Sequence, residues 1–510
     1  MSRAKSAFLG SISSHVFMIL NMLISIVVTP LILKFLDKEE YGFYVILFQI
    51  IGYLSILDLG LGGSVTRSLA SNRGEDETSK QAINKIISTS FFTYSFLGAI
   101  VIILGFCLAP FMPHYFKMQA ALSAVAIPIT ITLSIFIGLQ FPLKVFGSIF
   151  YAHQRQLLSN TVGSCIALLN TVLPVVFLYF GQGLWSFVYT NIVCSLVSIL
   201  VTLSLMRKYY PYLKVAYSFF DKSLLKQLFN FGFFLFLGSV SYQIVFFTDR
   251  FFIGSFVSLA AATMYALSIK APDILRELIF KITDNALPAM VEIGSKEGTI
   301  KSKDIHQKLL LVTVCLSTIA FWLMYILNRW FLFLWVGEQY FVGQQVLFLA
   351  LIIMVQHNIL HVSGLSLYGI GIVKGISLMG LAEALLNLVL TIWLGKIYGI
   401  QGILIATIIA CWLTVMWYVP FITMKNLKIE LNEYLLKPLL IPILAISGLG
   451  AIFYFFTNYI FDIIPITWLS FSVISFITAL LLMCFVWIVF LRKEFSEYIP
   501  VRLRKYLLFN

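Results

Sequence analysis

The sequence predicts an all-α polytopic membrane protein of about fourteen transmembrane helices. Three observations carry that expectation: the composition, the length of the apolar runs and the placement of the basic residues. Of 510 residues, 60% are hydrophobic and only 11% charged, and the mean hydropathy is +0.96. Soluble domains carry about 25% charged residues, so this chain lacks the polar surface needed to wrap a body facing water. A soluble enzyme, a nucleic-acid-binding protein and a disordered chain are excluded, and the net charge of +13 has to be read by topology.

Apolar runs of about 20 residues cross the hydrocarbon core as helices. In order they occupy roughly 12–34, 42–63, 84–109, 120–140, 157–179, 184–205, 229–255, 258–285, 309–327, 343–364, 375–395, 400–423, 439–457 and 466–490. The first follows Arg3 and Lys5 and has no small-residue cleavage site, so it reads as an uncleaved helix. With the N-terminus placed in the cytoplasm, 29 of the 35 Lys and Arg fall on inside segments and six on outside ones. A missing helix would invert every later segment, so the asymmetry supports an even helix count with both termini inside. The six cysteines (Cys107, Cys165, Cys194, Cys315, Cys411 and Cys484) lie in apolar runs without a CxxC pair and read as packing residues. No inside segment could hold a nucleotide-binding domain and no P-loop motif occurs, so ATP is not the expected energy source.

An internal repeat organises the chain. Ala167-Leu168-Leu169-Asn170 recurs as Ala384-Leu385-Leu386-Asn387, and Tyr179-Phe180-Gly181-Gln182-Gly183 as Tyr398-Gly399-Ile400-Gln401-Gly402. The period, near 220 residues, holds six helices, and an even number makes the two copies parallel, related by an axis along the membrane normal. The expected divisions are a first lobe over 1–227 (helices one to six), a second over 228–428 (helices seven to twelve), and an appended 429–510 with helices thirteen and fourteen and a basic cytoplasmic tail. Two such lobes enclosing a central cavity are transporter architecture.

Charges inside the membrane mark the candidate site, because each costs about 2.5–3.5 kcal/mol near a helix centre. In helix eight, Lys270, Asp273, Glu277, Lys281 and Asp284 step by three and four residues, which gathers them within an arc of about 80°. Arg276 lies off that stripe, and Pro272 favours a bend. Lys281 and Asp284 read as a cytoplasmic extension of the helix, Lys270 as embedded. Asp249 and Arg250 are either a pair at the outer interface or, for Arg250, an anion ligand whose planar fork suits phosphate. Glu383, one turn from Asn387, is either a protonatable coupling group or a carboxyl satisfied by a helix-to-helix hydrogen bond. Asp58 reads as a loop or cap residue. His357 and His361 share the i, i+4 spacing of metal ligands, but no HExxH or nearby carboxylate completes a site, so no metal is expected. Gly371 and Gly375 read as marks of close helix packing.

A set of ordered motifs carries a family resemblance. It comprises Leu57-Asp58-Leu59-Gly60-Leu61-Gly62 with Thr66-Arg67, Asp249-Arg250 with Ile253-Gly254, Tyr265 with Lys270, Trp335 with Gly337, Tyr368 with Gly371 and Lys374, and Tyr398 with Gly402. Across residues 10 to 425 the chain resembles the polysaccharide-repeat-unit (Wzx-type) flippases of the multidrug/oligosaccharidyl-lipid/polysaccharide exporter superfamily. The resemblance implies a V-shaped, MATE-like transporter of two six-helix lobes that works by alternating access. It would move an undecaprenyl-diphosphate-linked oligosaccharide to the outer leaflet of the bacterial inner membrane for O-antigen, capsule or exopolysaccharide synthesis. It implies no cofactor beyond H+ or Na+ coupling, and a polysaccharide polymerase and chain-length regulator as partners. On that reading Arg250 and Lys270, with Lys144, Arg155 and Lys374 near the cytoplasmic mouth, bind the diphosphate. Asp249, Asp273, Glu277, Glu383 and Asn387 are the polar and coupling groups. One departure is that the first lobe offers His15, Asn21 and Gln49 where related flippases carry arginine. A cation-coupled multidrug antiporter is the alternative, and a membrane glycan polymerase or ligase a more distant one.

Overall fold

The computed structural model describes residues 3–72, 74, 76–153, 155–286, 290 and 298–495, most of which are helical, with no strand among them. The basic tail expected beyond residue 495 lies outside the described residues. Every one of the fourteen expected ranges holds helix, and the protein is an all-α polytopic membrane protein. Among the described residues, nine helical stretches are long and apolar enough to cross a membrane; one of them, Lys374–Leu427, holds two expected spans.

The chain forms two compact units, Met1–Ala262 and Thr263–Asn510. That division follows packing, whereas the boundary expected at 227/228 follows the sequence repeat. The first unit contains α1 (Arg3–Ile32), α2 (Lys38–Ile56), α3 (Leu61–Ser71), α4 (Glu77–Leu108), α5 (Ala120–Gln140), α6 (Lys144–Ala152), α7 (Gln156–Tyr179), α8 (Trp185–Tyr209) and α9 (Lys222–Phe256). Here α1 packs on α7, α4 on α5, and α9 on both α2 and α3.

Sequence fixes these helices at their ends and crossings. Asp76 caps α4 by accepting from the Ser79 backbone N–H at 3.1 Å, and Asp221 caps α9 by accepting from Ser223 and Leu224 at 2.7 and 3.1 Å. The Lys85 ammonium, with Ser223 and the Leu224 N–H, holds the Asp221 carboxyl well below the usual range. Lys85 belongs to a larger docking surface on α4 for the connection between α8 and α9. Asn84 donates to Tyr212 O and accepts from Lys214 N–H, Ser88 accepts from Ala216 N–H, and Thr89 accepts from Asp221 N–H. Asn84, Ser88 and Thr89 are all buried, so these bonds satisfy groups that would otherwise be costly. Asn84→Ala strands two backbone groups of the connection and should destabilise the protein by about 1–3 kcal/mol; a thermal unfolding midpoint equal to wild type in detergent would refute the docking role.

Where α4 crosses α5, a Cβ at Gly98 would lie 2.3 Å from the Gly138 carbonyl oxygen, and one at Gly138 would lie 2.5 Å from that of Gly98. Only glycine on both sides lets the backbones meet this closely.

The second unit contains α10 (Leu259–Ser268, which begins in the first unit), α11 (Lys270–Asp284), α12 (Gly298–Trp335), α13 (Gln344–Gly369), α14 (Lys374–Leu413), α15 (Val415–Leu427), α16 (Ile441–Ile463) and α17 (Trp468–Val486). Helix α13 is central: 67% of its most apolar window is buried, against 17% for α17, which turns its apolar surface outward as lipid solvent requires. Three buried polar groups of α13 are paired: Asn358 donates to Ser317, Ser363 bonds Tyr434 and Ser366 bonds His306, at 2.7–2.9 Å.

Helix α14 is a hairpin. Gly399 has φ 59° and ψ −135°, a conformation open to glycine and strained for other residues. A Cβ at Gly402 would lie 2.1 Å from the Leu394 carbonyl, although eight residues of straight helix span about 12 Å. Asn387 donates to Thr407 at 2.8 Å, twenty residues on. Both pairs are centred on 397 or 398, so the chain doubles back there. The Tyr-Gly words of the repeat fall at turns in both units, since Gly181 and Gly183 also have positive φ.

Candidate functional site

In the first unit, α9 carries Asp249 and Arg250. Asp249 is 6% exposed and Arg250 half-buried. One residue earlier, Thr248 shares a 2.7 Å hydrogen bond with Tyr53 of α2, which fixes the α2–α9 seam beside both charges. The phenols of Tyr41 and Tyr53 lie in the field of Arg250, so the guanidinium stands among hydroxyls. Lys144 opens α6 with its ammonium 4.0 Å above the Phe141 ring and the Asp58 carboxylate as counter-charge. Asp58 accepts from Gly60 N–H at 2.8 Å in a turn where Leu59 and Gly60 have positive φ, the loop role expected of it. Arg155 is exposed and lies 4.4 Å above the Tyr209 ring and 5.6 Å from that of Tyr210.

In the second unit the expected single helix eight is two helices, α10 and α11, divided at Ile269. The cause is Pro272, which has no N–H for the carbonyl of Ser268 four residues back. Asn328 of α12 donates to that carbonyl instead, at 2.8 Å. The Ser268 hydroxyl donates to Tyr340 O and accepts from Val342 N–H, which holds the break in place. Lys270 therefore opens a new helix, half-buried at its first turn.

The polar stripe on α11 is neutralised from beside it. Arg276, off the stripe by sequence, reaches Asp273 at 3.1 Å and Glu277 at 3.6 Å with its own side chain 12% exposed. Lower down, Lys281 lies 3.6 Å from Asp284, and Asp284 also meets His361 of α13 at 2.8 Å, whose ring stacks on Phe280. Lys374 is exposed at the start of α14. Glu383, Asn387 and Thr407 line the inside of the α14 hairpin, where Glu383 lies 3.4 Å from His357 of α13 and beside Cys411.

The structure thus joins Asp273 to Glu277 through Arg276, and gives Glu383 a histidine. Sequence reasoning placed Arg276 off the stripe, found no carboxylate for His357 and read Cys411 as a packing residue, so it assigned none of the three to the site. The two histidines were visible by spacing, but each meets a carboxylate brought from another helix, His357 meeting Glu383 and His361 meeting Asp284.

A groove of about 500 Å³ opens among α12 to α15 and the start of α16. It is lined by Phe321, Ile352, Trp412, Met416 and Leu439, with Gln356 as a buried amide whose oxygen and nitrogen have no hydrogen-bond partner. Such a groove suits an apolar chain with one polar attachment.

Comparison with known proteins agrees with this architecture. The family described as polysaccharide biosynthesis protein matches residues 9–294, more than half of the chain. The chain belongs to the polysaccharide biosynthesis protein family. This family member is 24% identical over 387 residues to a Shigella flexneri protein provisionally named an O-antigen transporter, covering 72% of this chain and 86% of that one. Its fold is similar to that of the lipid II flippase MurJ in an inward closed conformation, with a TM-score of 0.72 at 15% identity, covering 93% of this chain and 99% of MurJ. A multidrug resistance MATE transporter in its inward-facing conformation shares the fold at a TM-score of 0.58 and 14% identity, covering 80% and 94%. The polysaccharide biosynthesis protein is a multi-pass membrane transporter and not an enzyme.

Proposed function

We propose that this protein flips undecaprenyl-diphosphate-linked oligosaccharide units from the cytoplasmic to the outer leaflet of the bacterial inner membrane, by alternating access, for polysaccharide assembly. Family membership and the O-antigen transporter relative support the reading. The observation that carries it is the apolar groove in the second unit, because a lipid-linked sugar has an isoprenoid chain to shelter and a drug cation does not.

Arg250, Lys270, Lys144, Arg155 and Lys374 are the cations the diphosphate meets during passage, and Asp249, Asp273, Glu277, Glu383 and Asn387 are the polar and coupling groups. The sequence repeat assigns the moving lobes to 1–227 and 228–428, with 429–510 appended. Both termini face the cytoplasm, H+ or Na+ drives the cycle, and a polymerase and chain-length regulator receive the product.

Deletion of the gene in a host without a redundant flippase should accumulate completed lipid-linked units facing the cytoplasm. Wild-type protein should clear them; an unchanged lipid pool would overturn the reading. Loss of one charge-assisted hydrogen bond costs about 1.5–3 kcal/mol, so Arg250→Ala and Lys270→Ala should each lower export by roughly tenfold or more at normal protein level. Failure of Lys374→Ala to complement, with Arg250→Ala and Lys270→Ala both active, would argue against Arg250 and Lys270 as diphosphate ligands.

A further inference from the structure

His357, Glu383 and Cys411 have the donor set of a metal site. They come from α13 and from both arms of the α14 hairpin, and their ligand atoms all lie within 4.8 Å of one another. They are 7%, 6% and 0% exposed. A backbone carbonyl can only accept, so the 2.8 Å contact between His357 Nδ1 and Ile353 O places a proton on Nδ1. Nε2 faces Glu383 Oε1, 3.4 Å away, and in the neutral ring presents its lone pair there. An imidazole held through Nδ1–H by a carbonyl is how metal-binding histidines are oriented.

Distance and charge agree with a metal. Zinc bonds of about 2.0–2.1 Å place tetrahedral N and O ligands about 3.3 Å apart, so His357 and Glu383 already stand as two corners. The Cys411 sulfur, within 4.8 Å of the other two ligand atoms, needs an inward shift of at most about 1.2 Å to make the third. Glu383 Oε1 is buried without a hydrogen-bond partner. A divalent ion with one carboxylate and one thiolate is electrically neutral, which suits an intramembrane position. The mixed N, O and S donors favour a borderline-soft transition ion over Mg2+, Ca2+ or an alkali cation, which prefer oxygen cages.

We propose that His357, Glu383 and Cys411 bind one divalent transition-metal ion of the Zn2+ class, with a fourth position open to water. The ion bonds the His357 Nε2 lone pair, a Glu383 carboxylate oxygen and the Cys411 sulfur, and the thiol proton leaves to solvent as the metal–sulfur bond forms. The bound ion clamps α13 to both arms of the hairpin. This inference shares Glu383 with the transport reading and would make it a metal ligand there, but its readout is metal binding, so the two fail separately.

The test uses full-length protein in detergent, stripped with a chelator and titrated with Co2+ and then Zn2+. One Co2+ per chain should bind, with tetrahedral visible bands and a thiolate-to-metal band in the near ultraviolet, all displaced by Zn2+. Cys411→Ser should abolish the thiolate band, and Glu383→Gln and His357→Gln should each weaken binding by about tenfold or more. His361→Gln, outside the cluster, should retain stoichiometry and spectrum. Absence of saturable Co2+ and Zn2+ binding to the wild-type chain would overturn the proposal without recourse to any variant. So would a thiolate band that persists in Cys411→Ser, since one of the other five cysteines would then be the ligand.

Discussion

Gly98→Leu should prevent α4 from seating on α5, and with it accumulation of the folded protein in the membrane. The obstacle at Gly98 is the Gly138 carbonyl oxygen 2.3 Å from the added Cβ, and the next neighbours are the Gly138 carbon and the Phe141 Cβ, each at 3.2 Å. A flexible side chain could turn away from such an intrusion, but helix backbone cannot. The helices must separate, and the same seam continues at Gly105, where a Cβ would meet Ser134 at 2.1 Å. Overpacking against side chains costs about 1–3 kcal/mol, and an obstacle made of backbone should exceed that range. The matched control is Gly163→Ala in α7, where nothing lies within 4 Å of the added carbon; there the gain in helix propensity should leave stability equal or raised by up to about 1 kcal/mol. Membrane abundance and the unfolding midpoint read both. Equal stability of Gly98→Leu and wild type would refute the close crossing.

Arg276→Met should cost nearly as much. The guanidinium serves two carboxylates at once, and removing it leaves Asp273 and Glu277 one turn apart on the same face of α11 without their shared cation. Stripping a fully buried pair of one partner costs about 3–5 kcal/mol. Asp273 and Glu277 retain 27% and 36% exposure, so about 2–3 kcal/mol is expected. The cause is separable from lost packing by the triple variant Arg276→Met with Asp273→Asn and Glu277→Gln, which has no charge left to strand and should recover most of the loss. If the triple variant is no more stable than Arg276→Met, packing of the arginine stem is the source.

Helix positions were legible because each depends on a local quantity, the length of an apolar run, and every expected range holds helix, although those at 42–63 and 258–285 are broken by turns. What escaped the sequence depends on partners far along the chain. Pro272 announces a disturbance, but whether the result is a bend or a break is decided by Asn328, 56 residues away, which takes the freed Ser268 carbonyl. His357 was visible as half of an i, i+4 pair, yet its carboxylate lies 26 residues on, and spacing rules see only ligands on one helix face. The turn at Gly399 brings Glu383 to Cys411, and nothing in either residue's neighbourhood signals the other. Glycines were ambiguous for the opposite reason. Gly375, read as a packing position, does face a neighbour, because a Cβ there would lie 2.3 Å from the Tyr418 hydroxyl. Gly371, read the same way, has φ +83° and open space around it, so its requirement is a turn.

The tight reversal at Gly399 also bears on how the chain enters the bilayer. With a single residue out of helical conformation between two apolar arms, neither arm has slack to wait at the interface while the other crosses. A nascent segment ending near Gly399 presents half of an object in which the Asn387 amide N–H still lacks the Thr407 hydroxyl that accepts from it in the folded hairpin. Insertion of residues 374 to 413 as one unit, both arms together, is the entry that this tight reversal favours.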